Sequence, residues 1–179
     1  MMNPASKNRC ILIFPQIENI GIIDEIRERY DPLAERVRPH ITLVFPFVSE
    51  IRASDLKIHL AQALCGIKPF EVTLSGITGD ILFERFLFLN IDHGKSEIIE
   101  MHKRLYTGIL EEFMPVWLKN GAFFPHMTVG KIDDREQFEI AVEETKDRTE
   151  SFKTIINKVS VEIIEENGDS SIEMEADLI

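Results

Sequence analysis

The sequence predicts an α+β protein with a duplicated two-lobe fold. Antiparallel-rich sheets would surround a central cleft, with helices on the outer faces. Three observations support this. Strand-like and amphipathic helical segments alternate along the chain. Their order occurs twice, each half running strand, helix, strand, helix, strand, strand. One short pattern, Pro-His-apolar-Thr-apolar, also occurs twice: Pro39-His40-Ile41-Thr42-Leu43 and, 86 residues later, Pro125-His126-Met127-Thr128-Val129.

The elements follow in order. Residues 10–17 are apolar and β-branched and read as a strand ending at a proline. Residues 22–37 place Ile22, Ile23, Ile26, Tyr30, Leu33 and Val37 at helical spacing. Asp31-Pro32 interrupts them, so a helix to about Arg29 and then a turn or short second helix are expected. Residues 40–47 form the first motif strand. Ser54 or Asp55 caps a helix to about Leu64, ended by Gly66 and Pro69. Residues 70–77 alternate, Gly79-Asp80 reads as a turn, and 81–91 as a long strand, together a hairpin. In the second half, 96–113 is an amphipathic helix, broken by Pro115 and Asn120-Gly121. Residues 122–132 carry the second motif strand, and Asp133 or Asp134 caps a helix to about Lys146. Residues 152–166 form a long strand, Asn167-Gly168-Asp169 a hairpin turn, and 171–179 the last strand. Residues 1–179 are therefore expected to form a single domain of two pseudo-symmetric lobes.

The motif has a direct physical reading. A strand sends alternate side chains to opposite faces, so His and Thr at i and i+2 share one face while the apolar residues enter a core. Two such strands facing each other present two imidazoles and two hydroxyls. That set suits general acid–base chemistry on a phosphate, with His40 and His126 moving protons and Thr42 and Thr128 binding the non-bridging oxygens. No His, Asp or Cys spacing resembles a zinc site, so neither a metal nor a cofactor is expected.

Charge narrows the partners. The net charge is −11, but residues 133–179 hold 15 acidic and 5 basic side chains, against 16 and 15 before them. Such an acidic chain should bind long nucleic acid weakly and non-specifically at most. A small phosphate-bearing ligand at the near-neutral motif region remains compatible. Arg27, Arg29, Arg36 and Arg38 precede the first motif and read as a solvated helix face, with Arg29 a candidate phosphate contact. Tyr30 and Phe14, Phe45, Phe47 and Phe124 are mostly core by parity; Phe45 and Phe124, beside the motifs, are the candidates to stack a base. His59, His93 and His102 read as packing or surface residues. Cys10 and Cys65 are too few for a disulfide framework, no apolar stretch spans a membrane, and the N-terminus lacks a secretory pattern. A cytoplasmic protein is expected, with no obligate protein partner.

The two His-x-Thr motifs in a duplicated α+β chain resemble the two-histidine (2H) phosphoesterase superfamily. The first half is most similar to its 2′–5′ RNA ligase branch, through Ile26-Arg27, Arg29 to Leu33 and Pro39 to Phe47. Phe124 to Lys131 carries the resemblance in the second half. The resemblance implies a two-lobed fold with a central cleft. It also implies metal-free chemistry on 2′,3′-cyclic phosphates or 2′–5′ linkages of RNA ends or small nucleotides, by two-histidine acid–base catalysis. Relatives often carry a basic residue after the second motif, and Lys131 fills that place. Strict alternation puts Lys131 on the Met127 face; it reaches the cleft only if the strand bulges or ends at Gly130. The alternative is a non-catalytic module that binds nucleotides or RNA ends in the same cleft. A panel of cyclic nucleotides assayed with EDTA separates the two.

Overall fold

The computed structural model describes residues 6–81, 84–121 and 123–179. The elements are β1 (Lys7–Ile13), α1 (Ile20–Tyr30), β2 (Ile41–Ser49), α2 (Ala53–Ala63), β3 (Phe70–Asp80) and β4 (Phe86–His93). Then come α3 (Lys95–Leu105), a 3₁₀ helix (Gly108–Phe113), α4 (Val116–Lys119), β5 (His126–Lys131), α5 (Arg135–Thr145), β6 (Ser151–Ile156), β7 (Lys158–Ile164) and β8 (Ser170–Asp177).

The eight strands form one sheet, ordered β6-β3-β4-β5-β2-β1-β7-β8, with every neighbouring pair antiparallel. The motif strands β5 and β2 are its two central strands. β6 and β7 lie toward opposite ends of the order, yet only Asn157 separates them in the chain. The sheet therefore curls into a half-barrel that brings its ends together.

The helices cover the outer face. α1 packs on β5 and α3 on β2, so each helix crosses to the motif strand of the other half. Their apolar residues, among them Ile23, Ile26, Ile98, Met101 and Leu105, merge with Ile41, Leu43, Met127 and Val129 into one core cluster. Close approach is built in by glycine. A Cβ at Gly130 would sit 2.9 Å from the Tyr30 Cβ of α1, and one at Gly94 would sit 2.6 Å from the Glu71 carbonyl oxygen, at a φ of +83°.

Several boundaries differ from expectation. Gly79-Asp80 is not the hairpin turn, because the β3–β4 ladder continues through Gly79 opposite Leu87 and Asp80 opposite Phe86. The glycine serves packing instead: a Cβ there would meet Val142 and Phe138 of α5 at 2.5 and 2.9 Å. The strand expected over 81–91 begins at Phe86, and within it Leu82 and Phe83 lie outside the described residues, as does Ala122 before the second motif. The helix expected over 96–113 stops at Leu105 and resumes as a 3₁₀ helix at Gly108, whose φ is +54°. The long strand expected over 152–166 is divided between two ladders at Asn157. The spatial grouping also departs from the sequence halves. The expected β3–β4 hairpin forms, but β6, from the second half, pairs beside β3, while β7 and β8, also from the second, extend the sheet beyond β1. Among the described residues, no helix is long and apolar enough to cross a membrane.

Candidate active site

β2 and β5 touch at a single residue pair, Ile41 opposite Met127. Carried one step either way, this antiparallel register sets His40 across from Thr128 and Thr42 across from His126. All four side chains are half-buried on the inner face of the curl, while Ile41, Leu43, Met127 and Val129 are fully buried on the other. The two histidines are thus diagonal neighbours on adjacent strands, roughly 7–8 Å apart. One phosphate with a hydrogen bond of about 2.8 Å on each flank spans such a gap.

The imidazoles are held alike. Nδ1 of His40 bonds the Arg38 carbonyl and Nδ1 of His126 the Phe124 carbonyl, each at 2.8 Å and each two residues back. A carbonyl oxygen only accepts, so Nδ1 carries the proton and the Nε2 lone pair is left for chemistry. Neither Nε2, nor either threonine hydroxyl, has a protein partner among the described residues. Phe88 lies tilted on the His126 ring at 3.8 Å between centroids, and Phe14 meets His40 edge-on at 6.2 Å. Burial lowers both imidazoles from the ordinary histidine value, and the carbonyl acceptors oppose it. Arg27 lowers His40 further, and His40 lowers His126, whereas Asp31 and Asp80 raise His40 and His126 respectively.

Beyond the shared pair the strands fork, and the fork needs partners for the backbone groups on the freed edge of β2. α3 provides them: His102 Nδ1 donates to the Leu43 carbonyl at 2.7 Å, and the Tyr106 hydroxyl accepts from the Phe45 amide at 3.0 Å. These residues lie at i and i+4 on one helical face. His102 is buried, with Phe123 stacked on its ring at 3.7 Å, so its role is structural. His59 is also structural, bonding the Leu105 carbonyl through Nε2 at 2.9 Å.

Each motif strand is bulged just after its threonine. In β5, Thr128 faces Phe88 but Gly130 faces Leu87, so Val129 is the extra residue. In β2, Thr42 faces Leu12 but Val44 faces Ile11, so Leu43 is extra. A bulge resets the alternation. Lys131, opposite Phe86, therefore joins the His126 face, and Phe45 joins the His40 face. Lys131 pairs with Glu84 at 2.6 Å, and its ammonium lies 5.5 Å from the Phe86 ring centroid. Phe45 packs edge-on against Trp117 at 4.9 Å. Phe124 is exposed and stacks beside His126 at 6.0 Å. Because the strands are antiparallel, Phe45 and Phe124 lie at one end of the histidine pair and Lys131 and Arg38 at the other.

The arginines separate. Arg29 is exposed and pairs with Glu144 of α5 at 2.7 Å over the Tyr30 ring, contacts that run between the outer helices. Arg27 is not on a solvated face, as the sequence suggested, but buried. Its guanidinium binds Asp31 and the Leu33 and Val37 carbonyls at 2.8–3.3 Å, clamping the loop that delivers His40. Arg38 lies over the Phe14 ring at 4.1 Å. Against Phe14 and Arg38, a cavity of about 590 Å³ runs beneath residues 34–39 and abuts the first motif without including its histidine. Sequence reasoning missed Phe14, Phe88 and Arg27 as supports of the site; for Phe88, its parity with Phe86 and Asn90 was the available signal.

Residues 14–168 match the model of the 2′-5′ RNA ligase superfamily. A Bacillus licheniformis protein named "Putative phosphoesterase" is 28% identical over 160 residues, covering 88% of this chain and 90% of that one. A Bacillus pumilus protein of the same name is 26% identical over 132 residues, covering 73% and 74%. Among solved structures, Escherichia coli LigT complexed with 3′-AMP superposes with a TM-score of 0.64 at 17% identity, over 97% of this chain and 98% of that one. A Thermus thermophilus protein does so at 0.61 and 15%, over 96% and 97%. These two structural likenesses concern the fold.

Proposed function

Since this chain belongs to the 2′-5′ RNA ligase superfamily, we propose that it is a phosphoesterase acting on 2′,3′-cyclic phosphates or 2′–5′ linkages of RNA ends or small nucleotides, by metal-independent two-histidine catalysis. The observation that carries this reading is the Ile41–Met127 register, with two imidazoles and two unpartnered hydroxyls on one face. In hydrolysis, Nε2 of one neutral histidine takes a proton from water as the water oxygen bonds to phosphorus. Nε2–H of the other, protonated, gives its proton to the ribose oxygen as that P–O bond breaks. The Thr42 and Thr128 hydroxyls donate to the non-bridging oxygens, where charge concentrates in the transition state. In the ligase direction the histidines exchange roles. Lys131 is the candidate cation for the phosphate end of the site, and Phe45 and Phe124 are candidates to hold a base. Arg29, already neutralised by Glu144, is given no part. The free thiols, Cys10 buried and Cys65 exposed, fit the reducing cytoplasm we infer for this protein.

The test is turnover of the four 2′,3′-cyclic mononucleotides and of 2′–5′-linked dinucleotides in EDTA. Product formation that survives chelation and is lost in His40→Asn supports the reading. Absence of turnover on every one of them, or strict dependence on an added divalent ion, overturns it.

A further inference from the structure

β2 and β5 share one residue pair, Ile41 opposite Met127, and fork beyond it. A single pair fixes where the strands touch but not the angle between them. The spacing of His40 and His126, one step out on opposite sides of that pair, therefore needs further ties. Two helices supply them in a crossed arrangement. α1 packs on β5, so closely that a Cβ at Gly130 would sit 2.9 Å from the Tyr30 Cβ. From that seat Arg27 reaches to the loop that leads into β2. Its Nε donates to the Asp31 carboxylate at 2.9 Å, and its Nη2 to the Leu33 and Val37 carbonyls at 3.3 and 2.8 Å. The next carbonyl after that of Val37 belongs to Arg38 and holds Nδ1 of His40. The Arg27 and Asp31 side chains are only 2% and 7% exposed, so neither water nor salt loosens the tie. α3 does the converse. It packs on β2, where His102 donates to the Leu43 carbonyl at 2.7 Å. The same imidazole stacks on Phe123 at 3.7 Å, with ring planes 6° apart. Phe123 precedes Phe124, whose carbonyl holds Nδ1 of His126. Each helix thus sits on one motif strand and grips the segment that delivers the histidine of the other.

We infer that α1 and α3 are crossed braces that set the spacing of the two imidazoles, with Arg27 and the His102–Phe123 stack as the positioning contacts. Arg27 acts on His40 through the backbone of residues 33–38, and the stack acts on His126 through that of residues 123 and 124. The two braces differ in kind, one a buried ion pair with carbonyl bonds and the other a ring stack. This rests on the phosphoesterase reading only for what the spacing serves.

The test loosens a brace and reads the distance between the rings. Arg27→Lys keeps the charge but loses the planar fork that reaches three acceptors. Phe123→Leu keeps an apolar side chain but loses the stack. Both are made in the full chain, and urea unfolding shows whether each folds. Ring spacing is followed by NMR titration of the imidazoles, because His40 lowers His126 only when the two are near. His40→Asn should therefore raise the His126 midpoint in the native background. It should raise it clearly less with Arg27→Lys or Phe123→Leu present, a double-mutant cycle on the coupling of the rings. The other charges acting on the two rings, Asp80 on His126 and Asp31 on His40, are kept in every variant. In parallel, kcat for 2′,3′-cyclic AMP in EDTA should fall about 10²-fold in Arg27→Lys with KM little changed, the scale of misplacing a reacting group by about 1 Å. No rise in the native background, an undiminished rise with Arg27→Lys, or a native kcat in a folded Arg27→Lys overturns the braces. Should Arg27→Lys not fold, Phe123→Leu decides by the same readouts. Diminished coupling without turnover of any cyclic phosphate keeps the braces and removes the hydrolytic reading, whereas native turnover with undiminished coupling removes the braces and keeps the enzyme.

Discussion

Replacing the two histidines, singly and together, tests whether they act on one phosphate. His126→Asn keeps a planar polar side chain but cannot exchange a proton near neutral pH. The native ring is fixed on two sides, by the Phe124 carbonyl at 2.8 Å and the Phe88 ring at 3.8 Å, so Nε2 is aimed before substrate arrives. One positioned acid or base contributes about 10²–10⁴-fold, or roughly 3–5 kcal/mol of barrier. His40→Asn removes the equivalent group, held by the Arg38 carbonyl. If both rings serve the same displacement, the second loss removes little that the first had not already disabled. The double variant should then fall about as far as the worse single one, and not to the roughly 10⁴–10⁸-fold product. The assay is kcat/KM for 2′,3′-cyclic AMP in EDTA, with urea unfolding midpoints to show that each variant folds. Unchanged kcat/KM in either single variant, or a double variant at the full product, would refute the shared-phosphate geometry.

Other expectations follow from the same geometry. The kcat/KM–pH profile should be bell-shaped: activity is lost on the alkaline side as the acid imidazole gives up its proton, and on the acid side as the base gains one. Since burial lowers both histidines, both limbs move down and the maximum should lie below about pH 6.5; a maximum at about pH 7.5 or above would contradict this. Thr128→Val and Thr42→Val remove a hydroxyl donor while retaining β-branched shape, and should each lower kcat about 10–10³-fold with little change in the unfolding midpoint. Gly94→Ala should destabilise by about 2–5 kcal/mol, read by urea denaturation, because a Cβ there combines a left-handed backbone with a 2.6 Å approach to the Glu71 carbonyl oxygen; loss under about 0.5 kcal/mol would show that the strands adjust freely.

Much of the fold was legible because its signals are local. Period-2 alternation marks Phe70 to Ile77 as a strand, helical spacing of Ile98, Met101 and Leu105 marks α3, and Asp134 caps α5 by accepting from the Gln137 amide as its residue type suggests. The misreadings share a cause: they depend on what lies across the structure. Gly79 looks like a turn residue until α5 is found pressing on it. The chain over 151–164 looks like one strand because it is almost one, and its division at Asn157 arises only when its two parts find β3 and β1. The β3–β4 hairpin was legible as two neighbouring strands, but nothing in a linear pattern says that β6 will pair beside β3 while β7 pairs beside β1.

The site shows the same limit at finer grain. His40, Thr42, His126 and Thr128 were visible because parity is a property of a single strand. That they share one face of adjacent strands depends on the Ile41–Met127 pair, a contact 86 residues apart in the chain. Lys131 illustrates the difference most directly. By strict alternation it belongs to the Met127 side, and only the extra Val129 in the ladder turns it to the histidine side. The same displacement at Leu43 turns Phe45 inward, so the two motif strands present unlike residues, a cation and an aromatic ring, at matching places. A duplicated chain with bulges at both copies thus keeps its two His-x-Thr pairs symmetric while its flanks diverge. Under the proposed mechanism the histidines would treat the attacking and leaving oxygens alike, as a reversible displacement requires, and Lys131 at one end and Phe45 and Phe124 at the other would set the direction in which a substrate lies.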